Sequence, residues 1–275
     1  MSDWQIKGSS QKFSMIGNDI LARPLAVYPS LTANTKGAWV ELSAATTIDA
    51  SAFTVMIPYI FEGSDYLVDI GIGAAGSEQV IINNLSISVG YVNGNTPSFN
   101  PRIPIPIPSG TRVAVRTQAT GTSSSRMIRC GILLESDNMP TGGTLTTIGA
   151  STADSGGTQI DPGASDNSKG AWTQLIAATV LDIQEAFFTF GNIANTSRTD
   201  CFWLVDISIG GAGSEQVIIP NIAIAGNINT DSISPAHTPF YKLNIPAGTR
   251  IAVRASCTIV DATDRLFDIV MYSIS

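Results

Sequence analysis

The chain repeats itself in long, ordered phrases, and this duplication restricts its fold more than any other feature. Lys36-Gly37-Ala38-Trp39 returns as Lys169-Gly170-Ala171-Trp172, and Leu67-Val68-Asp69-Ile70 as Leu204-Val205-Asp206-Ile207. Ala75-Gly76-Ser77-Glu78-Gln79-Val80-Ile81-Ile82 returns as Ala212-Gly213-Ser214-Glu215-Gln216-Val217-Ile218-Ile219. Gly110-Thr111-Arg112-Val113-Ala114-Val115-Arg116 returns as Gly248-Thr249-Arg250-Ile251-Ala252-Val253-Arg254. A period this long means two duplicated domains, not a solenoid. Residues 1–29 show no counterpart and predict an N-terminal arm. The first domain then covers 30–136, a turn-rich linker 137–149, and the second domain 150–275.

Each copy reads as β. Runs of four to eight residues rich in Val, Ile, Thr and Phe alternate with Gly, Pro, Asn and Ser. Strands are predicted near 38–43, 52–60, 65–72, 78–82, 84–91, 102–107, 111–119 and 126–135. The second copy predicts them near 171–177, 185–191, 201–209, 215–219, 221–226, 240–245, 249–258 and 265–274. So many strands in so short a copy predict an all-β fold of two tandem jelly-roll-like β-sandwiches. Alternation assigns the faces. Trp203, Val205, Ile207 and Ile209 share the core face, and Val113 and Val115 do the same in the first copy. Asp69, Arg112 and Arg116 lie off that face, as do Asp206, Arg250 and Arg254.

Gly71-Ile72-Gly73-Ala74-Ala75-Gly76 matches the G-x-G-x-x-G of a dinucleotide-binding loop. That motif requires a helix to follow, so that pyrophosphate meets a helix N-terminus. Here the continuation is β-branched, and the duplicate puts Ser208 where Gly71 stands. The stretch therefore predicts a glycine turn between strands, with no cofactor.

The repeated charges Asp69, Glu78, Arg112 and Arg116, with Asp206, Glu215, Arg250 and Arg254, read as exposed structural ion pairs between strands, each contributing about 0–1 kcal/mol. Neither copy has the alternating Asp/Asn of a calcium loop. His237 is the one histidine. It lies between prolines in a loop and lacks a counterpart in the first copy, which offers no support for a Ser-His-Asp or Cys-His site. Cys130, Cys201 and Cys257 are odd in number and widely spaced, which predicts buried thiols from a reducing cytoplasm and neither a disulfide framework nor a zinc site.

Pro101, Pro104, Pro106 and Pro108 strip N–H groups from one side of a strand, a device that blocks edge pairing. The second copy keeps only Pro246 of this pattern, so its edge, at Leu243, is a candidate contact with a partner. The segment before the first copy carries Trp4, Ile6, Phe13, Met15 and Ile16 in a polar context, which reads as a docking strap. Only 13% of residues are charged, against roughly 25% in ordinary domains. The net charge of −7 comes with no basic cluster, which argues against a nucleic-acid partner. No apolar run reaches membrane-span length, and the N-terminus has no secretory-signal pattern.

The phrase Gly-Ser-Glu-Gln-Val-Ile-Ile, followed by Ile-Pro-x-Gly-Thr-Arg-(Val/Ile)-Ala-Val-Arg, is carried by Gly76–Ile82 with Ile107–Arg116 and by Gly213–Ile219 with Ile245–Arg254. It resembles sequence in structural proteins of tailed bacteriophages and covers about half of each copy. The resemblance implies a non-enzymatic virion component, assembled in the host cytoplasm. It implies a head decoration or cement protein bound to the major capsid protein or other virion proteins. A homo-oligomer, such as a trimer, would be usual. A tail-associated fibre or receptor-binding protein is the alternative. A carbohydrate-active enzyme on a β-sandwich is a third reading, disfavoured by the single histidine and the lack of an aromatic cleft.

Overall fold

The structure, a computed structural model, describes residues 11–18, 24–61, 64–89, 100–136, 143–194, 201–227, 232–234, 236–259 and 265–275. The first unit contains β1 (Lys12–Ile16), β2 (Leu25–Val27), β3 (Val40–Ser43), β4 (Ala52–Phe61), β5 (Ser64–Ile72), β6 (Gln79–Val89), β7 (Arg102–Ile103), β8 (Val113–Ala119) and β9 (Met127–Ser136). The second contains β10 (Leu145–Ile148), β11 (Thr158–Ile160), β12 (Thr173–Ile176), β13 (Ile183–Ala194), β14 (Cys201–Ile209), β15 (Gln216–Asn227), β16 (Ser232–Ser234), β17 (Tyr241–Ile245), β18 (Ile251–Cys257) and β19 (Leu266–Ile274). Among the described residues no helix is long and apolar enough to cross a membrane.

The strand order is the same in both units. The first pairs β1-β9-β4-β7 in one sheet and β3-β8-β5-β6 in the other. The second pairs β10-β19-β13-β17 and β12-β18-β14-β15, with β16 added at the edge. Strands from opposite ends of a unit lie side by side: β1 and β2 beside β9 and β3 beside β8 in the first, β10 and β11 beside β19 and β12 beside β18 in the second. This is the two-sheet jelly roll, built twice. Alternating side chains fill the space between the sheets. Phe53, Val55, Val68, Ile70, Val113, Val115 and Ile132 belong to the first core. Trp203, Val205, Ile207, Phe188, Val253 and Met271 belong to the second.

The domain boundaries move. The expected arm contains β1 and β2, which pair with β9, and the expected linker contains β10, the matching partner of β19. Both units thus begin earlier than the repeated phrases do. The two opening segments share geometry and few residues. Ile16 and Ile148 enter the respective cores, and Gly17 and Gly149 follow them with φ of 86° each. The two predicted strands at 78–82 and 84–91 are one strand, β6, broken by a bulge at Asn84, whose φ is 55°. Asn221, with φ 54°, repeats the bulge in β15.

The units pack through unlike surfaces. β19 is buried along nearly its whole length on both faces. Phe267, Ile269 and Met271 face the second core, while Val270 and Tyr272 turn outward with Phe187 and join the first. Phe187 stacks on Tyr272 with ring centroids 4.7 Å apart. The Tyr272 hydroxyl caps the open edge of β6: it accepts from Ser86 N at 2.6 Å and donates to Asn84 O at 2.8 Å. Thr147 donates to Asn83 O beside it. Burial raises the Tyr272 phenol well above its ordinary value.

The proline-rich segment is an edge, as its N–H count demands. β7 is the last strand of its sheet, and β17 holds the same place in the second unit. The Leu243 side chain is partly buried and packs against the second core. Ile16 is likewise a core residue, whereas Phe13 and Met15 are exposed on the outer face of their sheet. Trp4 and Ile6 lie outside the described residues.

Candidate functional site

The repeated charges converge into two clusters per unit, and the same partners recur in each copy. The first is built on the repeated Lys-Gly-Ala-Trp. Gly37 packs so tightly that a Cβ would fall 2.3 Å from Tyr28 O, and Gly170 meets Asp161 O at 2.6 Å. This close approach lays the segment along β8, where Gly37 N donates to Thr117 O at 2.8 Å. Lys36 Nζ then reaches Asp69 Oδ1 at 2.7 Å and Leu67 O at 3.0 Å. From β8, Arg116 Nε donates to Asp69 Oδ2 at 2.9 Å. The bulge in β6 turns Asn84 N toward Asp69 Oδ1 at 2.9 Å. A bulge leaves an N–H outside the ladder, and the carboxylate accepts it. The Arg116 guanidinium lies 4.5 Å from the Trp39 ring centroid, within cation–π range.

The second copy matches atom for atom. Asp206 Oδ1 accepts from Lys169 Nζ at 2.8 Å and Asn221 N at 3.0 Å. Its Oδ2 accepts from Arg254 Nε at 3.1 Å, and Arg254 covers Trp172 at 4.4 Å. Alternation placed these carboxylates off the core face correctly, but both are buried. They are not exposed ion pairs. The lysine, the tryptophan and the bulge amide seal them, and none of the three was among the residues expected to pair. The signal for the first two was present: Lys and Trp recur within one repeated phrase.

Burial shapes the charges. It would raise Asp206, but the bonds from Lys169, Asn221 N and Arg254 hold it below its ordinary carboxylate value. Burial pushes Lys36 below its ordinary value and outweighs the attraction of Asp69.

The second cluster ties the glycine turn. Gly73 and Gly76 have φ of 101° and 82°, repeated by Gly210 at 106° and Gly213 at 83°. Such backbone favours glycine. Glu78 accepts from Gly76 N at 3.1 Å, and Arg112 Nη1 bridges Glu78 Oε1 at 3.0 Å and Gly73 O at 3.2 Å. Arg112 Nε also donates to Glu41 at 2.7 Å. Arg250 does the same with Glu215 and Gly210 O, with Gln174 in place of Glu41. Desolvation alone would raise Glu78 and Glu215, yet bonds from backbone N–H groups and an arginine hold both below their ordinary values. The Glu41 bond is the main reason that Arg112 is raised. Gly71 has a different task. A Cβ there would come within 2.9 Å of the Trp39 ring.

The remaining candidates stand apart. His237 forms an isolated bridge with Thr189 and lies half-buried along β13 rather than in a solvated loop. The three cysteines are buried, and none is in a disulfide. Burial pushes Cys130 up to about 12, whereas a hydrogen bond with Cys201 is the main cause that draws Cys257 down to about 7. Among the described residues, no three His, Cys, Asp or Glu side chains gather in a metal-binding group. Each repeated carboxylate has its oxygens occupied by donors of its own unit. The arrangement cross-links strands and turns.

These features define a class: an all-β protein of two tandem jelly-roll sandwiches with duplicated, internally closed charge clusters. No protein-family model matches the chain, and no curated protein sequence matches it significantly. Among solved structures it is similar to that of PNGF-II in space group C2, with TM-score 0.42 and 8% identity over 96% of this chain and 65% of that one. The chain thus spans a little under two thirds of that structure's length. A likeness at this level says nothing about activity.

Proposed function

We propose that the protein is a non-enzymatic structural component of a bacteriophage particle, a decoration or cement protein that binds the capsid surface and stabilises it. One observation carries the reading. The chemistry-bearing side chains that both copies retain are closed upon each other and brace the fold, so rigidity is what the duplication maintains. The resemblance to tailed-phage structural proteins supplies the particle. Exposed apolar side chains on outer sheet faces, Phe13 and Met15 at one end and Phe202 and Leu204 at the other, supply contact surface.

The test is electron microscopy of particles labelled with antibody to this protein. Label over the heads is the expected result. Label at tail tips would favour the receptor-binding alternative, and particles without the protein would overturn both. Removing residues 1–10, which leaves β1 whole, tests the strap. Attachment should be lost with melting unchanged.

A further inference from the structure

The junction between the units shows which surface each jelly roll offers. The first unit gives the outer row Gln118–Leu67–Ser86, aligned across β8, β5 and β6, and the edge of β6. The second unit lays the outer face of β10-β19-β13 on that edge, and its turn after β10 on Gln118, which donates to Thr152 O at 2.9 Å and Ser155 Oγ at 3.0 Å. Because the units are copies, each also carries the twin of the surface that the other uses.

Strand register fixes the twins. Met15, Leu133 and Thr54 form the row equivalent to Thr147, Tyr272 and Phe187. The twin of the edge at Asn83, Asn84 and Ser86 is Pro220, Asn221 and Ala223, all exposed. Leu67 is 0% exposed, and its twin Leu204 is 41% exposed. Inside the chain, Thr147 meets Asn83 O and Tyr272 meets Ser86 N, both polar contacts. Their twins would bring Met15 to Pro220 and Leu133 to Ala223. Both polar pairs become apolar pairs, and they change in step although the surfaces carrying them lie on different units. Phe202 adds to the change. It stands where the first unit has Asp65, and it is exposed.

We infer that the protein binds a second copy of itself head to tail. The outer face of β1-β9-β4 in one copy covers the β14–β15 edge of the next and continues the junction already formed within the chain. Such a contact joins unlike surfaces, so copies add until the rotation between them closes a ring. The inference concerns purified chains and does not depend on the particle proposed above.

The test is light scattering on the purified full-length protein from micromolar to near-millimolar concentration. The wild type should rise above the single-chain mass of 28.9 kDa. Met15→Lys and Leu204→Lys should each weaken association at least about tenfold, because an ammonium cannot be buried there unpaired. An equimolar mixture of the two should pair and stop at the dimer, since one variant keeps the face and the other the edge. Both sites are exposed, so melting should stay unchanged; if either lysine variant fails to fold, Phe13→Ser or Phe202→Ser blocks the same end. A wild type that stays monomeric, a single variant that assembles like the wild type, or a mixture that does not pair would each overturn the inference.

Discussion

Replacing Asp69 with alanine should destabilise the first unit far more than loss of a surface ion pair. The substitution removes the acceptor of Lys36, Arg116 and Asn84 N together. Breaking a buried pair by removing one partner costs about 3–5 kcal/mol. The stranded cations are partly wet, with Lys36 17% and Arg116 31% exposed, so both can turn toward water. The amide of Asn84 is less free to do so, and an unsatisfied buried N–H costs about 1–3 kcal/mol. The expected loss is therefore about 2–4 kcal/mol, or a fall in melting temperature on the order of 10 °C for a unit of this size. Circular dichroism melts and guanidinium titrations read it directly. Asp206→Ala should give a similar loss in the second unit. Replacing Lys36, Asp69 and Arg116 together with Met, Leu and Met should recover only the part owed to the stranded cations, because buried charges exchanged whole for apolar side chains are close to neutral while Asn84 N still lacks its acceptor. A single-site loss below about 0.5 kcal/mol, the scale of exposed pairs, would refute the reasoning.

Acid should unfold the protein through its depressed carboxylates. Asp206, Glu78 and Glu215 are held below ordinary values of 3.8 and 4.5 when folded, so the unfolded chain binds more protons. Their stabilisation is complete above those values and is lost as pH falls through the lower folded ones; a melting temperature that stays flat from pH 5 to pH 2 would contradict this. Gly71→Ala should push the Trp39 ring aside at a cost of about 1–3 kcal/mol and change the tryptophan fluorescence. Gly76→Ala, with φ of 82° but open space around it, should cost only about 1–2 kcal/mol and leave the fluorescence alone. Tyr272→Phe should strand Ser86 N at the junction and cost about 1–3 kcal/mol. Circular dichroism melts read this loss directly.

Much of this architecture was legible in the residues. Duplication and two-residue alternation are local patterns, and they gave the β-class, the tandem arrangement and the core faces of β8 and β14. The opening strands of each unit were not legible, because Lys12–Ile16 and Leu145–Ile148 share position but little sequence. Burial of Asp69 was also hidden. Its partners arrive from a loop 33 residues earlier and a bulge 15 residues later, and a linear pattern does not show that they converge. The junction did leave a trace. Leu266–Ile274 is apolar at odd and even positions alike, the mark of a strand covered on both faces, and adjacent Phe187 and Phe188 repeat it in β13.

The cap on β6 has a consequence in time. Tyr272 lies 186 residues beyond the amide that it closes. A ribosome adding about 5–20 residues per second needs about 10–40 s to make that stretch. The first jelly roll can fold only once β9 has emerged, so its β6 edge stays uncapped for the later part of that interval, from Ser136 to Tyr272. An uncapped edge strand is a template for pairing with another chain, so the second unit, arriving later on the same chain, closes that edge to its neighbours.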